Sequence, residues 1–524
     1  GSGSWRCFRR ASRPRRVMPA GGKQRSPTSA TSCSASTSSC TSTERPVVNP
    51  HQIGELLLPD RRRFLRDAGL GFGGLALATL LGDESRAAAG PAAAPHHAPR
   101  ARRVVWLFMT GAPSQMDTWD YKPELQARGG QPLPGADKQV GFFGTSGTCM
   151  ASPFAWARHG ESGTWVSEIF PHLARHVDDM TFLHSCHVRA NNHAPASMEL
   201  MCGFSRPGMP SLGAWLDYGL GSLASDLPGF VVMHERKPRG DDQIWSAGFL
   251  PRSHQAIALD ARRAAAIDDL APRAGRTAGV QREELDVLAA LNAAHAAERP
   301  TQADLPARLA SFELAFRMQA SAPEAFDLAS EPKHVHDLYG TGDPRCQVMA
   351  RQCLTARRLL ERGVRFVQIF AGRNTGGDGA VDDVPWDGHD NIESNHRTCG
   401  AATDRPAAAL LADLKARGML EDTLVVWGGE FGRTSDSQGG KGRDHNPQGF
   451  TIWLAGGGVK GGFHYGATDP FGYKAEQNKV GVNDLHATML HLLGIDHERL
   501  TYRHNGRDFR LTDVGGTVLH DVIA

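Results

Sequence analysis

Six short apolar runs constrain this chain more than any other feature. They are Arg103–Met109, Met180–Leu183, Phe230–Met233, Arg365–Phe370, Thr423–Trp427 and Phe450–Leu454. The first is apolar almost throughout and stops at Thr110-Gly111, as a buried parallel strand does. Between the runs lie stretches that read as helices, at about 166–179, 195–202, 344–362 and 395–417, with another at about 483–493. Gly418 follows the fourth as a helix C-cap. Strands alternating with helices predict an α/β fold with a mainly parallel sheet. Residues 256–330 differ: Ala, Arg, Glu and Leu dominate with helical spacing, which predicts an all-helical insertion. No internal repeat is present, and one large domain is expected.

Composition agrees and removes other classes. Of 524 residues, 40% are hydrophobic and 22% charged, enough to bury a core and too apolar for a disordered chain. No apolar run approaches about eighteen residues, which argues against a multispanning membrane protein. Residues 1–89 hold 14 of the 58 Lys and Arg but only 6 of the 56 Asp and Glu. The rest of the chain is therefore mildly acidic and offers no electrostatic footprint for nucleic acid. Thirteen of the 18 residues from 26 to 43 are Ser or Thr, and residues 1–59 read as a disordered or non-native leader. Asp60-Arg61-Arg62-Arg63-Phe64-Leu65-Arg66 then has the twin-arginine pattern, followed by the apolar run Ala68–Leu81 and the small residues Ala87-Ala88-Ala89. Residues 60–89 are read as a twin-arginine signal, which implies export to the periplasm or beyond and no stable membrane span after cleavage. Three of the nine Cys lie in the leader, and the other six form no Cys-x-x-Cys pair. A zinc ribbon is thus disfavoured, while disulfide pairing stays open.

Ligands of open α/β sheets gather beyond the carboxyl ends of the strands. The polar clusters of this chain sit there: Ser114 to Asp120 after the first strand, His184 to His193 after the second, Trp386 to Asn391 after the fourth, and Gly428 to Arg433 after the fifth. Arg443-Asp444-His445-Asn446-Pro447 precedes the last. Imidazole and carboxylate arriving from separate loops are what a transition-metal site requires.

These segments also carry a resemblance. Gly111-Ala112-Pro113-Ser114-Gln115-Met116-Asp117-Thr118-Trp119-Asp120, Gly429-Glu430-Phe431-Gly432-Arg433-Thr434, Gly442-Arg443-Asp444-His445, the Gly456–Gly462 segment and Asn505-Gly506-Arg507 resemble an exported bacterial family, domain of unknown function 1501. That family is similar in turn to the sulfatase and alkaline phosphatase superfamily. The resemblance covers about residues 100–524. It implies a three-layer α/β/α sandwich and hydrolysis or transfer of phosphate or sulfate at one or two metal ions. Carried over residue by residue, it implies metal ligation by Glu430, His445, Asp387 and His389, with Asp117 or Asp120 reaching in from the loop after the first strand. The ion is expected to be divalent, Zn or Mn rather than Ca or Mg. The sulfatase Cys-x-Pro-x-Arg position is occupied by His193-Ala194-Pro195-Ala196-Ser197, so His193 replaces the nucleophile.

A formylglycine sulfatase is therefore not expected, and Ser/Thr phosphotransfer is unsupported. Water could attack directly, or His193 could act as nucleophile or further ligand, with Arg433 pairing an anionic oxygen. The expected function is an exported metal-dependent hydrolase of phosphate or sulfate esters, its substrate an anionic small molecule or polysaccharide. The alternative is a catalytically degenerate binding or scaffold protein for anionic polysaccharide or a secreted partner. A metal-dependent mutase is suggested only by the His445 segment.

Overall fold

Strand β1 (Arg103–Met109) explains the architecture by itself. Val104, Trp106 and Phe108 are buried in one apolar cluster, whereas Val105, Leu107 and Met109 are buried in another. A strand apolar on both faces must be covered on both. The structure is a computed structural model that describes residues 94–134, 147–261, 277–298, 304–371 and 383–524. The leader and the twin-arginine segment lie outside the described residues.

The main sheet has nine strands. After β1 come β2 (Met180–His187), β3 (Phe230–His234), β4 (Ile257–Asp260) and β5 (Phe366–Ala371). They are followed by β6 (Thr423–Gly428), β7 (Phe450–Ala455), β8 (Phe463–Tyr465) and β9 (Val480–Gly481). The spatial order is β8-β2-β7-β6-β1-β5-β3-β4, with β9 beside β2. Only β7 runs antiparallel to its neighbours, so the sheet is mainly parallel.

Helices cover both faces. On one side α1 (His193–Cys202), α2 (Leu212–Leu220) and a C-terminal helix (Val482–Leu492) contribute Leu200, Trp215 and Met489 to the cluster that holds Trp106. On the other, α3 (Gln347–Glu361) and α4 (Ile392–Ala416) contribute Leu354 and Leu411 to the cluster that holds Leu107. Each fully buried side chain of this kind stabilises the fold by about 1.5–3 kcal/mol. The result is the expected three-layer α/β/α sandwich.

Two expected helices differ. Within 166–179, Thr164–Ser167 is a strand and only Leu173–Asp179 is helical, as a 3₁₀ segment. Pro171 interrupts the pattern, and the Asp404 carboxylate accepts the His172 and Leu173 N–H groups at 2.9 and 2.8 Å. Within 256–330, Ile257–Asp260 joins the sheet as β4 because β3 offers it a parallel edge. Helices Ala278–Ala297 and Asp304–Phe326 follow, and residues 262–276 lie outside the description. The six cysteines of the body are buried, and the open question of pairing closes without a disulfide among the described residues.

Candidate functional site

Because β1, β2, β5 and β6 run the same way, their carboxyl ends share one edge of the sheet. The chain leaves β1 through a left-handed turn, with φ +98° at Gly111 and +66° at Ala112. At Gly111 a side chain would strike the Val384 carbonyl oxygen at 2.6 Å, so glycine is required. Ala112 carries the backbone strain of a non-glycine residue in that region. The turn aims two carbonyls at Arg433: Nε donates to Ala112 O at 2.9 Å, and Nη2 donates to Gly111 O. The same Nη2 lies 2.6 Å from Asp387 Oδ1. Trp386 N–H donates to Thr110 O at 3.0 Å, which ties the Asp387 loop to the end of β1.

Three imidazoles surround Asp387. His389 Nε2 and His445 Nε2 lie 2.9 and 3.3 Å from Oδ1, and His193 Nε2 lies 3.2 Å from Oδ2. The Nε2 atoms of His389 and His445 are themselves only 2.9 Å apart. His445 Nδ1 donates to Asn191 O at 2.8 Å. A carbonyl can only accept, so this bond fixes the tautomer and leaves the Nε2 lone pair facing the cluster. At the first residue of α1, His193 Nδ1 meets Glu430 Oε1 at 2.6 Å, and Gly111 N–H donates to the same oxygen at 2.9 Å.

Electrostatics follow from this packing. Burial alone would raise the Asp387 carboxyl, but Arg433 and then the three imidazoles hold it far below the usual carboxylate range. Burial pushes His445 down to about 4. Burial works against the charge on His193 as well, yet Asp387 and Glu430 beside it win and raise it.

The donor chemistry fits a divalent cation. Imidazole nitrogens and carboxylate oxygens converge, with one donor atom each from His193, Asp387 and His445 within 4.8 Å of one another. Glu430 Oε2 is buried without a hydrogen-bond partner, and buried His193 Nε2 has Asp387 Oδ2 at 3.2 Å but no hydrogen bond of normal geometry, an arrangement that is costly unless a ligand satisfies it. Asp387 and His389 remain part exposed, at 19% and 25% of their side chains, so the cluster reaches solvent.

The expected residues thus sort into three roles. His193, Asp387, His389 and His445 meet. Glu430 adjoins them through His193: its Oε1 meets His193 Nδ1 at 2.6 Å, and Oε2 is buried without a hydrogen-bond partner. Asp117 does not join the cluster: it is fully buried, with Oδ2 2.6 Å from Arg443 Nε and 2.5 Å from Ser114 Oγ. Arg433, expected to pair a substrate oxygen, is fully buried and serves the Gly111-Ala112 turn and Asp387 instead. Sequence reasoning assigned nothing to Asp444, whose Oδ1 lies 3.8 Å from His389 Nδ1. Its position next to His445 was the available signal.

A family model described as "Protein of unknown function (DUF1501)" matches residues 101–523. No curated protein matches the chain in sequence. Similar solved structures include the lipoteichoic acid synthase LtaP from Listeria monocytogenes, at 12% identity and TM-score 0.35, covering 80% of this chain and 76% of that one. PsFucS1 sulfatase from Pseudoalteromonas sp. is 12% identical at TM-score 0.34, over 76% of this chain and 69% of that one. Alkaline phosphatase from the Antarctic bacterium TAB5 is 11% identical at TM-score 0.32, over 75% and 98%. Likenesses of this size say nothing about the reaction, which rests on the chain's own side chains.

Proposed function

We propose that this chain, which belongs to the DUF1501 family of proteins of unknown function, is an exported metal-dependent hydrolase of phosphate or sulfate esters. The observation that carries the reading is the convergence of His193, Asp387, His389 and His445 at the carboxyl edge of a parallel sheet, with Asp387 and His389 open to solvent. His193 Nε2, His445 Nε2 and an Asp387 oxygen would hold the cation. Glu430 and the Asn191 carbonyl orient the two imidazoles from behind, as outer-shell partners do at metal sites. An imidazole-rich donor set favours Zn or Mn over Ca or Mg. A bound divalent cation supplies positive charge to an ester oxygen and eases deprotonation of an attacking water.

The chain's own residues prepare that chemistry. Arg433 keeps Asp387 ionised, and the Gly111-Ala112 turn keeps Arg433 in place. His193 stands where the resemblance places a nucleophile, and its Nδ1 bond to Glu430 fits a ligand. Attack by water is the route that needs no side-chain nucleophile. The substrate class is an anionic small molecule or polysaccharide. Residues 60–89 would direct export by the twin-arginine route. No helix among the described residues is long and apolar enough to cross a membrane.

The test pairs elemental analysis of purified protein with a panel of phosphate and sulfate esters. Bound transition metal and turnover, both lost in His445→Ala, are expected. Wild type without metal after growth in metal-replete medium would sink the reading. Retained metal with no turnover across the panel would transfer the case to the binding-protein alternative.

A further inference from the structure

The cluster contains two donor groups that overlap at one residue. His193, Asp387 and His445 form the first, and His389, Asp444 and His445 form the second. In each group one donor atom of every member lies within 4.8 Å of the others. His445 belongs to both, yet it can serve only one ion. Its Nδ1 carries the hydrogen donated to the Asn191 carbonyl at 2.8 Å, so that nitrogen has no lone pair to offer. Nε2 has one in-plane lone pair, and one lone pair makes one coordinate bond.

Independent features point to a ligand at both groups. In the first, His193 Nε2 is buried 3.2 Å from Asp387 Oδ2 without a hydrogen bond of normal geometry, and the ring is anchored from behind by Glu430. In the second, His389 Nε2 lies 2.9 Å from His445 Nε2, and Asp444 Oδ1 is held in place by the His445 backbone N–H at 2.7 Å. Both nitrogens also face Asp387 Oδ1, at 2.9 and 3.3 Å, so three electron-pair donors converge where one His389 proton or one cation must lie between them.

We infer that the protein holds a single divalent cation per chain, in either of two seats that share His445 Nε2 and exclude each other. The first seat adds His193 and Asp387, and the second adds His389 and Asp444. This inference rests on the metal reading of the cluster and goes beyond it in fixing the number of ions and in giving Asp444 a role. His445 is the one residue both seats require.

The experiment is titration of metal-stripped full-length protein with Co(II) and with Zn(II), read by calorimetric stoichiometry and by the visible spectrum of the Co(II) form. Wild type should take up one equivalent. His193→Ala and Asp444→Asn should each still take up one, with Co(II) spectra that differ from each other. His193→Ala should bind at least about tenfold more weakly than wild type. His445→Ala, and the His193→Ala/Asp444→Asn double variant, should take up none, with circular dichroism showing that each is folded. His445→Gln serves in place of an unfolded His445→Ala. Two equivalents in wild type would overturn the single-ion inference and leave the metal reading standing. No uptake in wild type would overturn the metal reading itself. Complete loss of uptake in His193→Ala, or an Asp444→Asn change without effect in the His193→Ala background, would remove the second seat.

Discussion

Two arginines ten positions apart, Arg433 and Arg443, are both fully buried, and each holds an aspartate at 2.6 Å. Their surroundings differ in kind. The Arg443–Asp117 pair is closed. Asp117 is fully buried, Arg443 covers both its oxygens, and Ser114 adds a hydroxyl. Arg443 also donates to the carbonyls of Thr434 and Met150. The Arg433–Asp387 pair is open. Asp387 is 19% exposed and faces three imidazoles. A buried ion pair enclosed in this way is architecture, because removing one partner strands the other. A carboxylate that also faces nitrogen lone pairs has affinity left for a cation.

The largest expected effect breaks the closed pair. Asp117→Asn should destabilise the fold by about 3–5 kcal/mol in urea or guanidinium unfolding, because Arg443 is left buried and uncompensated. Metal content per folded molecule should not change. Asp387→Asn should do the reverse, losing metal at a much smaller cost in stability, since Arg433 keeps its Gly111 and Ala112 carbonyl partners. If the two variants exchange these signatures, the distinction between closed and open pairs fails.

A smaller effect sharpens the open side. Glu430→Gln keeps an acceptor for His193 Nδ1 and for Gly111 N–H but loses the charge. Metal affinity should fall about 10–100-fold by competition with a chelator, with little change in unfolding midpoint. An unchanged affinity would show that Glu430 does not act through His193.

Acid should reveal the closed side. His396 accepts the Ser114 N–H at 2.9 Å, and burial pushes it from 6.5 down to about 3. The unfolded chain takes up this proton near pH 6.5 and the folded chain does not. Stability from this group is therefore whole above pH 6.5 and is lost as pH falls toward 3. The Asp117 carboxyl is also depressed: burial opposes its ionisation, and Arg443 more than offsets that, so its contribution is lost on further acidification. His396→Gln should flatten the slope of unfolding free energy against pH between about 6 and 4. An unaltered slope would place the acid sensitivity elsewhere.

The smallest effect lies at the rim. Arg189 is 70% exposed and pairs with buried Glu199, whose carboxylate also accepts the Arg189 backbone N–H at 3.2 Å. Arg189→Ala should cost no more than about 1 kcal/mol, because the backbone contact persists and the exposed ion pair is screened. A larger loss would mean that the side chain, not the backbone, holds the loop that presents the Asn191 carbonyl to His445.

Much of the fold was legible because its signals are local. Apolar runs with both faces buried mark β1, β5 and β6, and the helices at α3 and α4 lie where spacing predicts them. The strand Ile257–Asp260 was not legible, since a short Ala- and Ile-containing segment suits a helix until β3 offers an edge. The same limit applied to the site. Residue type marked His193, Asp387, His389 and His445 as donors, but the division of labour between His193 and Glu430 depends on a contact across 237 positions.

By itself, then, the sequence determined the α/β class, the mainly parallel sheet and the edge where the polar residues would gather. Periodicity and the direction of parallel strands settle those features without distant partners. Tertiary structure alone decided which aspartate each arginine would take. Asp117 and Asp387 follow different strands, and Arg433 and Arg443 share one loop region, so either pairing is open to a linear reading. Packing resolved it: the Gly111-Ala112 turn directs its carbonyls at Arg433, and Ser114 and Asp117 close around Arg443. Of those two aspartates, that geometry leaves Asp387 as the one that His193, His389 and His445 reach.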